Sequence, residues 1–270
     1  MTMTIVDRDQ AVAALDEAFD AIVELAEGLA PDDWDRPTAC PGWSVKDVVS
    51  HVIGVEAMLL GRPTPQVTLP DDLPHVRNDM GRVNEQWVES YRPRPPADVV
   101  ADLEAVIAER RAALAGMDQA AFAAASSTPA GTDTYGRFMR IRVMDIWVHE
   151  QDIREATGRP GHLEGLAPAA AIDEVAAVIG YVVGKRAGAP AGSSVRFELT
   201  GPLSRRIDVE VTDRARLVDS IGGQPTVTLT VLGVHFMRLV GGRGADPAAV
   251  ATEGDARLGR AVVAQLGFMI

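Results

Sequence analysis

Arg142-Val-Met-Asp145-Ile-Trp-Val-His149-Glu-Gln-Asp152-Ile-Arg-Glu-Ala156 is the stretch of sequence that decides the fold. Asp145 and His149 are four residues apart, so on a helix their side chains share one face, with Cβ atoms about 5 to 6 Å apart. One helix can then offer a carboxylate and an imidazole to the same divalent metal ion, as in the H-E-x-x-H motif. Asp152 follows His149 by three residues and is placed to orient the imidazole through a hydrogen bond.

The third candidate ligand is His51, in the segment Cys40-Pro-Gly-Trp-Ser-Val-Lys-Asp-Val-Val-Ser-His51. The Pro-Gly pair interrupts the chain, and Ser44 with Asp47 forms a capping box that predicts the start of a helix. Valines at 45, 48, 52 and 55 then follow a helical period, and His51 lies beside them. We therefore expect an inward-facing histidine on this helix.

Each candidate ligand also has a simpler interpretation. His51 could be a hydrogen-bonded core histidine, and Asp145 with His149 could be an ordinary intrahelical pair. The apolar neighbours of Asp145 favour a partnered site, because an ionised carboxylate among them would be costly alone. Cys40 could be a reactive thiol or a small buried residue. Since it is the one cysteine of the chain, an internal disulfide and a thiolate metal cluster are excluded.

Composition and charge exclude several classes of partner. The 270 residues are 47% hydrophobic and carry a formal net charge of −12, with a pI near 4.9. A net negative field attracts neither nucleic acid nor an anionic membrane surface, so we expect neither partner. Without an uninterrupted apolar run of about 18 residues, and without a basic and then apolar leader at residues 1–9, the sequence predicts a cytoplasmic protein.

Hydrophobic periodicity predicts two domains that differ in secondary structure. Helices are expected at 8–29, 44–60, 77–91, 97–117 and 135–157, with a small-residue loop at 123–134. Four long helices, two of them with inward ligands, make a bundle with a metal ion in its core. From about residue 167 the pattern predicts an α+β domain, with helices at 168–186, 232–241 and 255–267 and strands at 194–199, 207–212 and 226–231. The overall fold class is α+β, with domains at 1–165 and 166–270.

The motifs resemble those of the mycothiol-dependent maleylpyruvate isomerase family. They are C-P-G-W-S-x-x-D-x-x-x-H at 40–51 and D-x-x-x-H-x-x-D-I-R-x-A-x-G at 145–158, with weaker likeness at 241–246 and 253–259. The resemblance spans nearly the whole chain. It implies a DinB-like metal-binding four-helix bundle at the N-terminus, followed by a C-terminal domain akin to sterol-carrier-like α+β folds.

The resemblance also implies a chemistry. A divalent metal, usually Zn²⁺, would be held by His51, Asp145 and His149, with one position open as in catalytic sites. The family often has Glu at the position of Asp145, so the carboxylate here is shorter by one methylene. Mycothiol, an actinobacterial thiol, would become a thiolate for isomerisation of, or S-transfer to, a small electrophile such as maleylpyruvate. The expected partners are this thiol and a small-molecule substrate, and the sequence leaves monomer and homodimer open.

Substrates of this kind carry carboxylates, so a cationic clamp is expected. Arg243 resembles an arginine that the family's C-terminal domain contributes to the cleft, and Arg77 or Arg82 on the additional helix could supply another. We assign Arg243 and Arg82 to catalysis, and Asp152 and Arg77 to cofactor binding. A solvated or structural arginine is the simpler alternative for Arg243.

Two other functions compete with this enzyme. A non-catalytic small-molecule-binding protein could keep the metal for structure alone, although all three ligand positions are filled by competent residues. A zinc-linked regulator would ordinarily use cysteine ligands, which this chain lacks. The remaining histidines, His75, His162 and His235, have no partner at ligand spacing and are expected to be structural or exposed.

Overall fold

A computed structural model describes residues 3–269, and the chain forms two compact units. The first unit ends at His162 and the second begins at Leu163. The first is helical and the second is built around a mixed sheet, so the predicted α+β class is confirmed.

Five α-helices of 13 to 23 residues and one of five residues make up more than half of the described part of the first unit. The helices are α1 (Arg8–Glu27), α2 (Val45–Leu59), α3 (Asp79–Tyr91), α4 (Pro96–Ala115), the short α5 (Gln119–Ala123) and α6 (Tyr135–Thr157). α2 packs against α3, α4 and α6, and α1 packs against α4 and α6. Their buried faces are mainly aliphatic, as the helical periods predict.

Local sequence explains where α2 begins and where α6 begins and ends. At the start of α2, the Ser44 hydroxyl accepts from the Asp47 N–H while the Asp47 carboxylate accepts from the Ser44 N–H, which is the predicted capping box. The Thr134 hydroxyl caps α6 by accepting from the Arg137 N–H. α6 ends at Gly158, whose φ of +67° lies in the left-handed region that glycine adopts at little cost.

The segment before α6 differs from the predicted loop. Ala125–Thr128 (β1) and Gly131–Thr134 (β2) pair as an antiparallel hairpin, although their small polar residues show no apolar alternation. The hairpin is tied to the distant N-terminal segment, since the Asp133 carboxylate accepts from the backbone N–H and the hydroxyl of Thr4 at 2.7 and 3.0 Å. A local sequence pattern cannot predict a contact between residues so far apart.

The described part of the second unit contains three α-helices and a five-stranded sheet. The elements are α7 (Leu166–Tyr181), β3 (Ser194–Thr200), β4 (Arg205–Val211), β5 (Ala215–Val218), β6 (Val227–Leu232), α8 (Gly233–Val240), β7 (Ala251–Gly254) and α9 (Ala256–Val263). The strand order in the sheet is β5-β4-β3-β6-β7. β3 and β6 are parallel, and the other neighbouring strands are antiparallel. The edge strands β5 and β7 were not predicted, because each has four residues and little buried surface.

One helical stretch among residues 3–269 is long and apolar enough, by length and composition, to cross a membrane. It is Leu166–Arg186, which consists of α7 and the π-helical turn that follows it. Because 56% of its most apolar 18-residue segment is buried within the protein, it resembles the core helix of a globular unit, which can have the same length and composition.

Gly54 allows α2 and α3 to approach closely. A Cβ atom at this position would lie 2.6 Å from Cβ and Cγ of Trp87, a distance that no real contact tolerates. Gly81 in α3 differs, since a Cβ there would meet its nearest neighbour, Asn78 Oδ1, at an ordinary 3.5 Å.

We expect Gly54→Ala to lower the free energy of unfolding by about 1 to 3 kcal/mol, because overpacking displaces the Trp87 ring. The matched substitution Gly81→Ala should leave stability unchanged or raise it by up to about 1 kcal/mol, since alanine is the better helix former. Urea denaturation of both variants checks this. Equal stability of the two variants would contradict the close packing.

His162 closes the first unit with a side chain held between two carboxylates. Its Nδ1 lies 2.6 Å from Glu150 Oε2, and its Nε2 lies 3.1 Å from Glu17 Oε1. Its carbonyl oxygen accepts from the Trp147 indole at 2.9 Å. The hydrogen bond to Glu150 raises the pKa of His162 against the opposing effect of burial, and Glu17 raises it further.

A histidine whose pKa is raised by folding stabilises the fold fully below its unfolded pKa of about 6.5, and loses that contribution as the pH rises through the folded pKa. We therefore expect the stability of the wild type to fall, relative to His162→Asn, over the pH range above about 6.5. Asparagine suits this position because the φ of +52° lies in the left-handed region. Urea denaturation across this range gives the difference, and parallel curves would show that His162 does not titrate with folding.

Candidate metal centre

The structure brings together the three side chains that the motifs single out. His51 on α2, and Asp145 and His149 on α6, hold ligand atoms within 4.8 Å of one another. The His51 Nε2 atom lies 3.3 Å from Asp145 Oδ2, and the His149 Nε2 atom lies 3.6 Å from Asp145 Oδ1. The two imidazole rings meet edge to face with centroids 4.7 Å apart. Two imidazoles and a carboxylate are a donor set suited to Zn²⁺.

The three side chains differ in their exposure to solvent. His51 and His149 are 6% and 7% exposed, whereas Asp145 is 33% exposed. The cluster is therefore open to solvent on the side of Asp145.

Arg142 is the partner that a carboxylate among apolar neighbours requires. It precedes Asp145 by one helical turn, and its Nη1 donates to Asp145 Oδ2. Burial would raise the pKa of Asp145, but the charge of Arg142 and the neighbouring His149 and His51 hold that pKa well below its usual range. Asp145 is therefore ionised at neutral pH.

The two histidines differ in protonation. Burial lowers the pKa of His51 to about 4, so its imidazole is neutral at neutral pH. Burial also opposes the charge on His149, but Asp145, Asp152 and Cys40 raise its pKa to about 10. Without a metal, His149 is thus a second cation beside Asp145, in addition to Arg142, and a dication binding there would displace its proton.

Asp152 and Cys40 surround the other nitrogen of His149. The His149 Nδ1 atom lies 3.2 Å from Asp152 Oδ2, and the Cys40 thiol donates to the same oxygen at 3.1 Å. Cys40 Sγ lies 3.8 Å from His149 Nδ1. Holding Nδ1 in this way leaves Nε2 directed at Asp145.

A buried ion network lies behind the cluster and links three helices. Nε and Nη2 of Arg142 both donate to Glu56 Oε1, at 3.0 and 2.9 Å, and Arg110 Nε donates to Glu56 Oε2 at 2.7 Å. Glu56 has no exposure to solvent, and Arg110 and Arg142 are 1% and 3% exposed. An acid and two arginines among apolar helix residues are visible in the sequence, but their pairing was not predicted.

The predicted arginines lie in different parts of the chain. Arg77 precedes α3, which begins at Asp79, so the prediction that Arg77 lies on this helix is wrong. Arg82 lies near the start of α3, and both side chains are exposed. Arg243 belongs to the second unit, where it follows α8 and its Nη1 donates to the Gly241 carbonyl at 2.6 Å. The roles of these arginines in binding and catalysis remain predictions.

Sequence profiles of known protein domains match both parts of this chain. The sequence profile of the mycothiol maleylpyruvate isomerase N-terminal domain matches residues 15–154, which is more than half of the chain. The chain belongs to the mycothiol maleylpyruvate isomerase family. The profile of the MDMPI C-terminal domain matches residues 169–261 of the second unit, so the predicted family is confirmed in both parts.

Solved structures with the same fold agree with this family. The crystal structure of a mycothiol-dependent maleylpyruvate isomerase aligns with a TM-score of 0.62 at 16% identity, covering 94% of this chain and 96% of that chain. A histidine-to-alanine mutant described by the same name aligns with a TM-score of 0.59, at the same identity and coverage. At this identity the likeness shows the fold. Among curated proteins, no sequence matches this chain.

Removing the charge of Glu56 should destabilise the first unit strongly. Glu56→Gln leaves two buried guanidinium groups without a full counter-charge, and we expect a loss of about 3 to 5 kcal/mol in the free energy of unfolding. The matched control is Glu109→Gln, which breaks the exposed Arg62–Glu109 pair and should cost less than about 1 kcal/mol. Chemical denaturation measures both, and similar losses in the two variants would contradict the role of the network.

Proposed function

We propose that this protein is a metal-dependent enzyme that uses mycothiol as a thiolate for isomerisation of, or S-transfer of the thiol to, a small electrophile such as maleylpyruvate. The observation that supports this function is the convergence of His51, Asp145 and His149 in the helical unit of a chain from this family. We propose Zn²⁺ as the metal, since two imidazoles and one carboxylate with a further position open are typical of catalytic zinc.

The residues of the cluster fit such an ion. The charge of Asp145, together with a neutral His51, would favour a dication over the proton that His149 otherwise carries. The partial exposure of Asp145 leaves an approach for one further ligand. When bound, the ion lowers the pKa of a thiol, which is ordinarily about 8.5, so that the sulfur is available as a thiolate.

The surrounding residues would hold this arrangement in place. Asp152 accepts from His149 Nδ1 and so keeps Nε2 facing the ligand cluster. Arg142 keeps Asp145 ionised and restrains its carboxylate on the side of Oδ2. Both contacts preorganise the ligands, which would reduce the free-energy cost of ordering them when the metal ion binds.

We propose that three arginines bind the anionic parts of the substrate and of the thiol. They are Arg243, Arg82 and Arg77. A guanidinium offers paired donors that match a carboxylate. Arg243 and Arg82 would bind the substrate during catalysis, and Arg77 would bind mycothiol. We propose further that the enzyme works in the cytoplasm as a monomer or homodimer, with small molecules rather than nucleic acid or membranes as partners.

The first test is the metal content of the purified wild type beside that of His149→Ala. We expect about one zinc per wild-type chain and none in the variant, because the variant keeps only two ligands. His235→Ala is the matched control, since His235 binds the Asp246 carbonyl in the second unit and its loss should leave the metal content unchanged.

Calorimetric titration with mycothiol then tests whether the protein binds this thiol and whether binding requires the metal. We expect binding to the zinc-loaded wild type and none to the stripped protein or to His149→Ala. A wild type that holds no metal and does not bind the thiol would overturn the proposal in favour of a non-catalytic binding protein. Incubation with maleylpyruvate distinguishes the two reactions, because an isomerase returns free mycothiol whereas a transferase accumulates the thioether.

A further inference from the structure

Trp43 lies against both imidazoles of the candidate centre. Its ring centroid is 5.1 Å from that of His51 and 6.1 Å from that of His149, with interplanar angles of 39° and 36°. One indole thus contacts the two histidines that come from different helices. No role for Trp43 follows from the ligand motif alone.

The two imidazoles are held in unequal ways. His149 Nδ1 has Asp152 and Cys40 as neighbours at hydrogen-bonding distance. His51 Nδ1 is buried and has no hydrogen-bond partner among the described residues. Metal-binding histidines ordinarily donate this second N–H to an acceptor that fixes the ring. The plane of the His51 ring is therefore set by its packing against Trp43 and by Asp145.

The indole is itself fixed by a buried carboxylate. Trp43 Nε1 donates to Glu85 Oε2 at 2.9 Å, and Glu85 has no exposure to solvent. The same oxygen lies 3.0 Å from His75 Nε2, and Arg92 Nη2 lies 2.9 Å from Glu85 Oε1. Because the carboxylate is held by two further groups, the indole has little freedom to rotate.

The neighbouring backbone adds to this constraint. The His75 ring lies directly against Gly42, where a Cβ atom would be only 2.7 Å from the His75 Nδ1 atom. Arg92 also donates to Asp47 Oδ1 at 3.2 Å, at the start of α2. The loop before α3, the segment that carries Trp43 and the start of α2 are thus connected through Glu85.

We propose that Trp43, held by Glu85, is a positioning residue that orients His51 for metal binding in place of a hydrogen bond to its Nδ1 atom. This inference rests on the proposed function of the cluster. The C-P-G-W part of the motif then contributes to the metal centre through the Trp43 indole, which packs against His51 and supplies no ligand atom.

Two variants test this role without touching a ligand. Glu85→Gln keeps Trp43 and weakens its anchor, and Trp43→Phe removes the indole N–H. We expect both to weaken zinc binding by about 10-fold or more in competition with a chelator, as for other groups that orient a ligand. The absorption bands of the cobalt-substituted protein should shift in both. Trp87→Phe is the matched control, since the Trp87 indole N–H is buried without a partner among the described residues, and it should change neither quantity.

A further measurement does not depend on metal. Long-range ¹H–¹⁵N NMR spectra of the metal-free protein report the ring nitrogens of each histidine. In Glu85→Gln we expect the His51 signals to shift or broaden while those of His149, held by Asp152, change little. Circular dichroism of each variant confirms that the helical unit is folded.

The outcomes separate this inference from the proposed function. Zinc affinity and cobalt spectra that stay unchanged in both variants, with a wild type that binds zinc, would overturn the positioning role and leave the metal centre intact. A wild type that binds no zinc would overturn the proposed function, and the NMR comparison would then decide the role of Trp43. Unaltered His51 signals would refute it, and a selective change at His51 would support it.

Discussion

A carboxylate without access to water, Glu56, lies between the guanidinium groups of Arg110 and Arg142, and the first unit depends on this pairing. An ion in the protein interior is costly unless a counter-charge and hydrogen bonds replace its water. Glu56 on α2 therefore requires an arginine from α4 and another from α6. The three helices can pack together only in a register that brings these groups into contact.

The same network reaches the candidate centre through Arg142. The Nε and Nη2 edge of its guanidinium donates to Glu56, and its Nη1 donates to Asp145. The carboxylate of the ligand cluster is therefore positioned from the protein core and kept ionised. His149 is restrained from the opposite nitrogen by Asp152 and Cys40. The cluster rests on rigid helices, which hold functional groups more accurately than loops do.

Membership of the mycothiol maleylpyruvate isomerase family gives this arrangement its chemical context. The fold itself does not define a reaction, because one fold can support many activities. The chemistry depends on the site, where two histidines of different protonation flank one ionised carboxylate. Asp145 lies within reach of Arg142 on the preceding helical turn, and this contact helps to keep the carboxylate ionised.

The sequence by itself determined the long helices, the ligand spacing and the family. Apolar periods and capping residues define α2 and α6, because a helix start depends on neighbours three residues away. The β-branched runs likewise predicted β3, β4 and β6. The hairpin of β1 and β2 and the edge strands β5 and β7 were not predicted, since their residues have no apolar alternation.

Only the tertiary structure decided which groups pair with Arg142, Glu85 and Trp43. Glu56 and Arg142 are 86 residues apart, and Trp43 and Glu85 are 42 apart. Pairing at such separations follows from how the helices pack, and no local pattern in the chain encodes it.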